Sequence, residues 1–189
     1  LTAGTYFDGT LGGGVGTGDA FMLKFNNAGT RLWATFYGGA GDDYGYSVAT
    51  DLSGNVYMGG STLSAGSIAS GGYQNGFAGV QDAFLVKFSN TGVRLWSTYY
   101  GGSTGGSQIN AIETDGSNNV FATGNTWATN FPLLNAGTFF QPANGGNMDA
   151  FILKFRPAGT RLWATYYGGS GGMTGDSGEG IAIDASDNI

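Results

Sequence analysis

DAFLVKFSNTGVRLWSTYYGG, from Asp82 to Gly102, is one of three copies; the others are DAFMLKFNNAGTRLWATFYGG from Asp19 and DAFILKFRPAGTRLWATYYGG from Asp149. The copies start 63 and then 67 residues apart, while the Asp always precedes the Gly-Gly pair by 19 positions. Insertions are therefore confined to the segments between copies. Self-similarity of this kind means that each copy is one supersecondary unit stacked on its neighbours.

A second repeated element follows each copy: YSVATDLSGNVYMGG from Tyr46, INAIETDGSNNVFATG from Ile109 and IAIDASDNI from Ile181. Leu1-Thr2-Ala3-Gly4 matches Phe121-Ala122-Thr123-Gly124. Joined end to end, Ile189 and Leu1 would rebuild one strand, so the text reads as an excerpt of a longer array.

Each unit parses into four short strands rich in Val, Ile, Phe, Tyr, Trp and Thr, separated by Gly, Asn, Asp and Ser. In the first full unit these are strand a, Ser47 to Asp51; b, Asn55 to Gly59; c, Ala83 to Phe88; and d, Arg94 to Tyr100. Alternation puts Phe21, Leu23 and Phe25 on one face and Ala20 and Met22 on the other; Leu32 and Phe36 likewise oppose Trp33 and Tyr37. A sheet apolar on both faces must be sandwiched. The expected fold is all-β: tandem four-stranded antiparallel blades of the β-propeller type, three in number, forming an incomplete ring or part of a longer array. The units run 1–56, 57–120 and 121–189.

Trp33, Trp96 and Trp163 then read as packing between blades. Asn27-Ala28-Gly29, Asn90-Thr91-Gly92 and Pro157-Ala158-Gly159 read as c–d turns, and the segments from Asp51, Asp115 and Asp184 as a–b Asx-turns. These tight turns share one end of every blade. The long connections share the other: residues 5–18, 61–81 and 125–148 between b and c, and 38–46, 101–108 and 168–180 between d and a. Any binding is expected on that elaborated rim.

Thirteen acidic and seven basic residues give a net charge of −6, with basic residues dispersed through the repeats, which disfavours nucleic acid as a partner. Without His or Cys the chain has no Ser-His-Asp or Cys-His nucleophile and few routes to zinc. No apolar run is long enough for a membrane helix. The 38 glycines lack the collagen period and read as turns.

DAFLVKF, RLWSTYYGG, GGAGDDYGYSVATD, GNVYMGGST and TWATNFP together resemble the bacterial SBBP β-propeller repeat family over nearly the whole chain. The resemblance implies a secreted or cell-surface protein, often from Bacteroidota, where such repeats occur in large exported polypeptides linked to adhesion or gliding. It carries no catalytic residues. The second unit departs from the pattern, with Gly105-Gly106-Ser107 where the first has Asp42-Asp43, and Asp187 stands where a Gly precedes the Asn.

The binding candidates are the loop aromatics Tyr44, Tyr46, Tyr73, Phe77, Trp127 and Phe131, which either stack on a ligand or tuck their loops onto the blades. No cofactor is expected. Asp42 and Asp43, Asp176 and Glu179, and Asp184 and Asp187 are the acid clusters that could offer oxygens to Ca²⁺, although none spells a calcium loop. Lys24, Lys87 and Lys154, with Arg31, Arg94 and Arg161, recur in register; they are expected to pair with Asp19, Asp82 and Asp149, an anion-binding ring being the alternative. Asp8, Glu113 and Glu179 are the non-repeated carboxylates for a glycosidase-like pair. The expected function is a non-catalytic structural or adhesive module. Its partners would be neighbouring blades of the same longer chain or other surface and secretion proteins. A carbohydrate- or peptide-binding propeller is the alternative, and a glycan-active enzyme ranks behind both.

Overall fold

The computed structural model describes residues 12, 13, 16–137, 139–170 and 175–189. Leu1 to Gly4 and Asp8 lie outside the described residues. Those described form ten strands and no helix: β1 (Ala20–Phe25), β2 (Arg31–Tyr37), β3 (Asp43–Thr50), β4 (Val56–Thr62), β5 (Asp82–Phe88), β6 (Arg94–Tyr100), β7 (Ser107–Thr114), β8 (Val120–Thr126), β9 (Asp149–Phe155) and β10 (Arg161–Tyr167). β3 to β6 and β7 to β10 are two antiparallel four-stranded meanders, and β1 pairs with β2. These are propeller blades in a ring that does not close.

Both faces of the second blade are buried, as the alternation requires. Met58, Phe84, Val86, Phe88 and Tyr99 pack against Ala20, Met22, Trp33 and Tyr37 of the first sheet. From the opposite face, Tyr57, Leu85, Trp96 and Tyr100 pack against Ile109, Ile112, Phe151, Leu153 and Phe155 of the third. The blades converge on their first strands: Ile112 N donates to Ser47 Oγ at 3.1 Å, and Thr114 Oγ1 to Thr50 O at 2.8 Å.

Trp33 and Trp96 lie in the two inter-blade layers. The Trp33 Nε1–H donates to Asn90 O at 3.0 Å and that of Trp96 to Pro157 O at 2.9 Å, in each case the c–d turn of the next blade. That turn reaches the ring because its glycine has no side chain. Gly159 has φ +84°, and a Cβ there would stand 2.9 Å from Trp96 Cδ2. Gly159→Ala is expected to lower stability by about 2 kcal/mol, of which roughly 1 to 2 is the cost of left-handed backbone, read as a shift of the urea midpoint. Gly29→Ala, in a turn with φ +77° that faces open space, should lose the backbone part alone.

Two expectations about connections need correction. β3 begins at Asp43, not Ser47, because a bulge between Gly45 and Ser47 lets Asp43, Tyr44 and Gly45 pair with Thr62, Ser61 and Gly60. Tyr44 and Tyr46 therefore sit on a strand, not in a loop, and the d–a connections shrink to 38–42 and 101–106. The b–c connections are also not free rim loops along their length. They fold back along the outermost strand, Ser70 bridging Ser97 and Gln74 bridging Tyr99, with Leu134 to Ala164 and Gln141 to Tyr166 in the next blade. These straps cover the otherwise open edge of the two four-stranded blades, and most of the 5–18 connection lies outside the described residues.

Residues 175–189 extend the pattern without adding a paired strand. The Asp184 turn forms, Asp184 N donating to Asn188 O at 2.9 Å. Asp187, at φ 60°, takes the left-handed position that Asn118 holds at 63°.

Candidate functional site

At the turn end the copied aspartates and lysines are engaged in scaffold. Asp51 accepts from Ser53 N, Asn55 N and Asn55 Nδ2 at 3.0, 2.9 and 2.9 Å, and Lys87 Nζ lies 3.1 Å away. Asp115 repeats the arrangement with Lys154 Nζ at 2.8 Å. Burial pushes both carboxyls up, but the Asn side chains and the ammonium groups outweigh it and hold them below the ordinary carboxylate range.

The lysines thus pair with the turn aspartates and not, as the spacing invited, with Asp82 and Asp149. The reason is strand geometry: Asp82 opens β5 at the loop end, and Lys87 stands five positions further on, about 3.3 Å per residue. Lys87 also donates to Pro157 O at 3.3 Å and lies over the Tyr57 ring. Arg161 stacks on Tyr73 with its Cζ 4.2 Å from the ring centroid and donates to Tyr100 Oη and Pro132 O. These cations are committed to the fold, which argues against an anion ring.

Asp82 and Asp149 instead anchor the end of each strap. Asp82 accepts from Ala78 N at 2.7 Å and Gly79 N at 3.1 Å, and Asp149 from Gly145 N and Gln141 Nε2 at 2.8 Å each. The repeated glycine after strand d makes room for them: a Cβ on Gly101 would stand 2.3 Å from Asp82 Oδ1. Burial raises the Asp82 carboxyl above its ordinary value.

The acid clusters have similar work. Asp43 accepts from Thr62 Oγ1, from Ser64 Oγ at 2.8 Å and from Gly39 N at 2.8 Å, and burial pushes its carboxyl up. Asp42 Oδ1 accepts from Gly18 N and Asp176 Oδ2 from Gly169 N. Glu179, Asp184 and Asp187 are exposed. Glu113 Oε1 accepts from Thr114 N. Among the described residues no three His, Cys, Asp or Glu side chains gather to hold a metal.

The aromatic candidates separate. Phe131 is 4% exposed, 4.7 Å from Phe151 and 5.0 Å from Tyr100 by ring centroids, and has no free face. Tyr73 is half-exposed but packed against Tyr100 and Phe155, and Phe77 lies edge-on to Tyr99. Tyr44, Tyr46 and Trp127 remain, 49, 48 and 45% exposed. The two tyrosine rings stack on the innermost strand, centroids 6.3 Å apart and 6° from parallel. Trp127 follows β8 at the loop end, its backbone N–H donating to Gly106 O at 2.9 Å.

Register with Tyr44 and Tyr46 identifies residues that the sequence had not singled out: Gln108 and Asn110 on β7, then Ser177 and Glu179. Gln108 Nε2 donates to Asn110 Oδ1 at 2.8 Å, and Asn110 Nδ2 to Ser177 Oγ and Gly178 O at 3.2 and 3.1 Å. The available signal was divergence between copies at two aligned columns. Inner-strand side chains at the loop end are thus aromatic in one blade and amide-bearing in the next, on a scaffold otherwise copied.

Residues 32–66 and 95–132 match the SBBP β-propeller repeat. A WD repeat-containing protein of Acanthamoeba polyphaga mimivirus, itself uncharacterised, is 28% identical over 182 residues, which cover 89% of this chain and 13% of that protein. The chain therefore spans a small part of the relative's length. Each SBBP match runs from strand d of one blade through strands a and b of the next, so the repeat text and the sheets describe one object: consecutive blades of β-propeller repeat.

Proposed function

We propose that this chain is a non-catalytic interaction module of a secreted or cell-surface protein, presenting its loop rim to a partner. The observation that carries the reading is the contrast between rims. One end consists of copied turns whose aspartates accept from their own backbone amides; the other exposes the uncopied Tyr44, Tyr46 and Trp127. Half-exposed aromatics on a rigid strand supply contact area at small entropic cost, and repeat scaffolds use surfaces of this kind for partner binding.

A tiled peptide array and a glycan array probed with the purified chain test the reading. Trp127→Ala and Tyr44→Ala should each weaken any specific, saturable binding at least tenfold, about 1.4 kcal/mol, with the melting midpoint unchanged. Wild-type binding by the double variant would remove the site. The stacked tyrosine pair favours a sugar face as the second reading, and the glycan arm decides between the two.

A further inference from the structure

Residues 61–81, 101–108 and 125–148 make the loop end of the second and third blades, and they contain no Asp, Glu, Lys or Arg although 11% of the chain is charged. The carboxylates that border them, Asp82 and Asp149, are 0% exposed. This part of the rim therefore offers a ligand no charge of either sign. It offers an aromatic ring and a set of hydroxyl and amide groups.

Trp127 carries the ring. Its indole lies beside Gly106, where a Cβ would stand 3.7 Å from Cε3, and the residue is half-exposed. Next to it, the 101–106 connection and the first residues of the following strap hold each other's side chains. Thr104 Oγ1 donates to Asn130 Oδ1 at 3.0 Å and accepts from Thr129 N at 2.8 Å, while Asn130 Nδ2 donates to Ser103 Oγ at 2.8 Å. The Thr104 and Thr129 hydroxyl oxygens are 3.1 Å apart. Because Thr104 gives its single proton to Asn130, Thr129 is the donor between them. The Ser103 hydroxyl proton and the second Asn130 amide proton then remain to be given, and the Thr129 oxygen remains to accept. All four residues are exposed.

The contact between the first and second blades provides the comparison. There the same backbone places Leu63, Ala65 and Gly66 where Trp127, Thr129 and Asn130 stand, and Ala40 in place of Thr104; its d–a connection is one residue shorter and lacks Ser103. The scaffold is the same in detail. Leu63 N donates to Asp42 O as Trp127 N does to Gly106 O, and Gly39 meets Ser64 and Gly66 as Gly102 meets Ala128 and Asn130. Ala40, Leu63, Ala65 and Gly66 are exposed although the second blade has a neighbour on each side. Exposure at these positions thus belongs to the rim itself, and the polar and aromatic groups are particular to the contact between the second and third blades.

We infer that Trp127, with Ser103, Thr104, Thr129 and Asn130, forms a binding site for an uncharged saccharide, which rests on the loop rim being the binding face. The indole supplies an apolar platform for the C–H face of a pyranose ring. The hydroxyl and amide groups exchange hydrogen bonds with sugar hydroxyls, each of which both gives and accepts. A phosphate, sulfate or carboxylate finds no cation here, and an amine finds no exposed carboxylate. A few convergent polar groups beside an apolar face are what orient a small ligand. Ordering them costs little, because they already hold one another.

Isothermal titration of the full chain with gluco-, galacto- and manno-oligosaccharides tests this, with sialylated and sulfated glycans as the charged arm and the tiled peptides as the protein arm. Saturable binding of a neutral oligosaccharide is expected. Trp127→Ala should weaken it about tenfold or more, and Trp127→Phe should keep most of the affinity. Ser103→Ala and Thr129→Val should each cost about fivefold, the worth of one neutral hydrogen bond, with the melting midpoint unchanged. Leu63→Ala should bind as wild type. Neutral-sugar binding that survives Trp127→Ala, a preference for charged glycans, or no glycan binding at all would overturn the inference. Peptides bound through Trp127 in the absence of glycan binding would overturn it while leaving the rim as the binding face; binding of neither would remove both.

Discussion

Replacing Trp96 with alanine is expected to lower the unfolding free energy by about 3 to 5 kcal/mol, the range for deleting a fully packed aromatic. The indole is 4% exposed, stacks with Phe155 at 6.0 Å and 24°, and meets Tyr57 edge-on at 6.1 Å. Its removal opens a cavity between two blades and takes from the Pro157 carbonyl the nearer of its two donors, leaving Lys87 Nζ at 3.3 Å. The loss should appear as one cooperative shift in guanidinium unfolding, since the layer it leaves is shared by both sheets. Trp163→Ala provides the comparison: the same residue type in the same register, half-buried on the outer face of the last blade, should cost the isolated chain much less. Equal losses at the two positions would mean that the repeat, and not the sandwich, explains the tryptophan.

The second large effect is electrostatic. Lys87→Met keeps most of the aliphatic stem but leaves the buried Asp51 carboxylate beside the Tyr57 hydroxyl without its ammonium. Breaking one side of a buried pair costs roughly 3 to 5 kcal/mol. Here about 2 to 4 kcal/mol is expected at pH 7, because Asp51 keeps its hydrogen bonds from Ser53 and Asn55. The sign with pH follows from the direction of the shift. The wild-type Asp51 carboxyl lies below its ordinary value of 3.8, so its contribution is complete above that value and is lost as pH falls through the lower, folded one. The deficit of the variant should therefore shrink in acid. A double-mutant cycle with Asp51→Asn should return part of the loss; strict additivity would mean the pair does not couple.

Local pattern carried much of the fold. Strand alternation placed Ala20, Met22, Trp33 and Tyr37 on a buried face and Phe21, Leu23 and Phe25 on the opposite one, because side-chain direction in a strand depends only on parity. The c–d turns were legible for the same local reason: a glycine three residues into each turn supplies positive φ. The partners of Lys87 and Lys154 were not. Alternation gives a face and not an end, and the distance along β5 removes Asp82 from reach. Tyr44 and Tyr46 were misplaced in a loop because a bulge leaves no signature in a run of Gly, Asp and Tyr. Their shared column with Gln108 and Asn110 became visible only once β3 and β7 were aligned through their own partners.

What the sequence by itself determined is the blade: three copies of a two-faced hairpin and turns too tight to hold a ligand, all encoded within a few residues of one another. Only the tertiary structure decided where the long connections lie, which aspartate each lysine meets and which aromatics stay exposed. Those outcomes rest on pairings such as Ser70 with Ser97 and Trp96 with Pro157. Each is set by how one sheet stacks and folds against another, and no local periodicity records it.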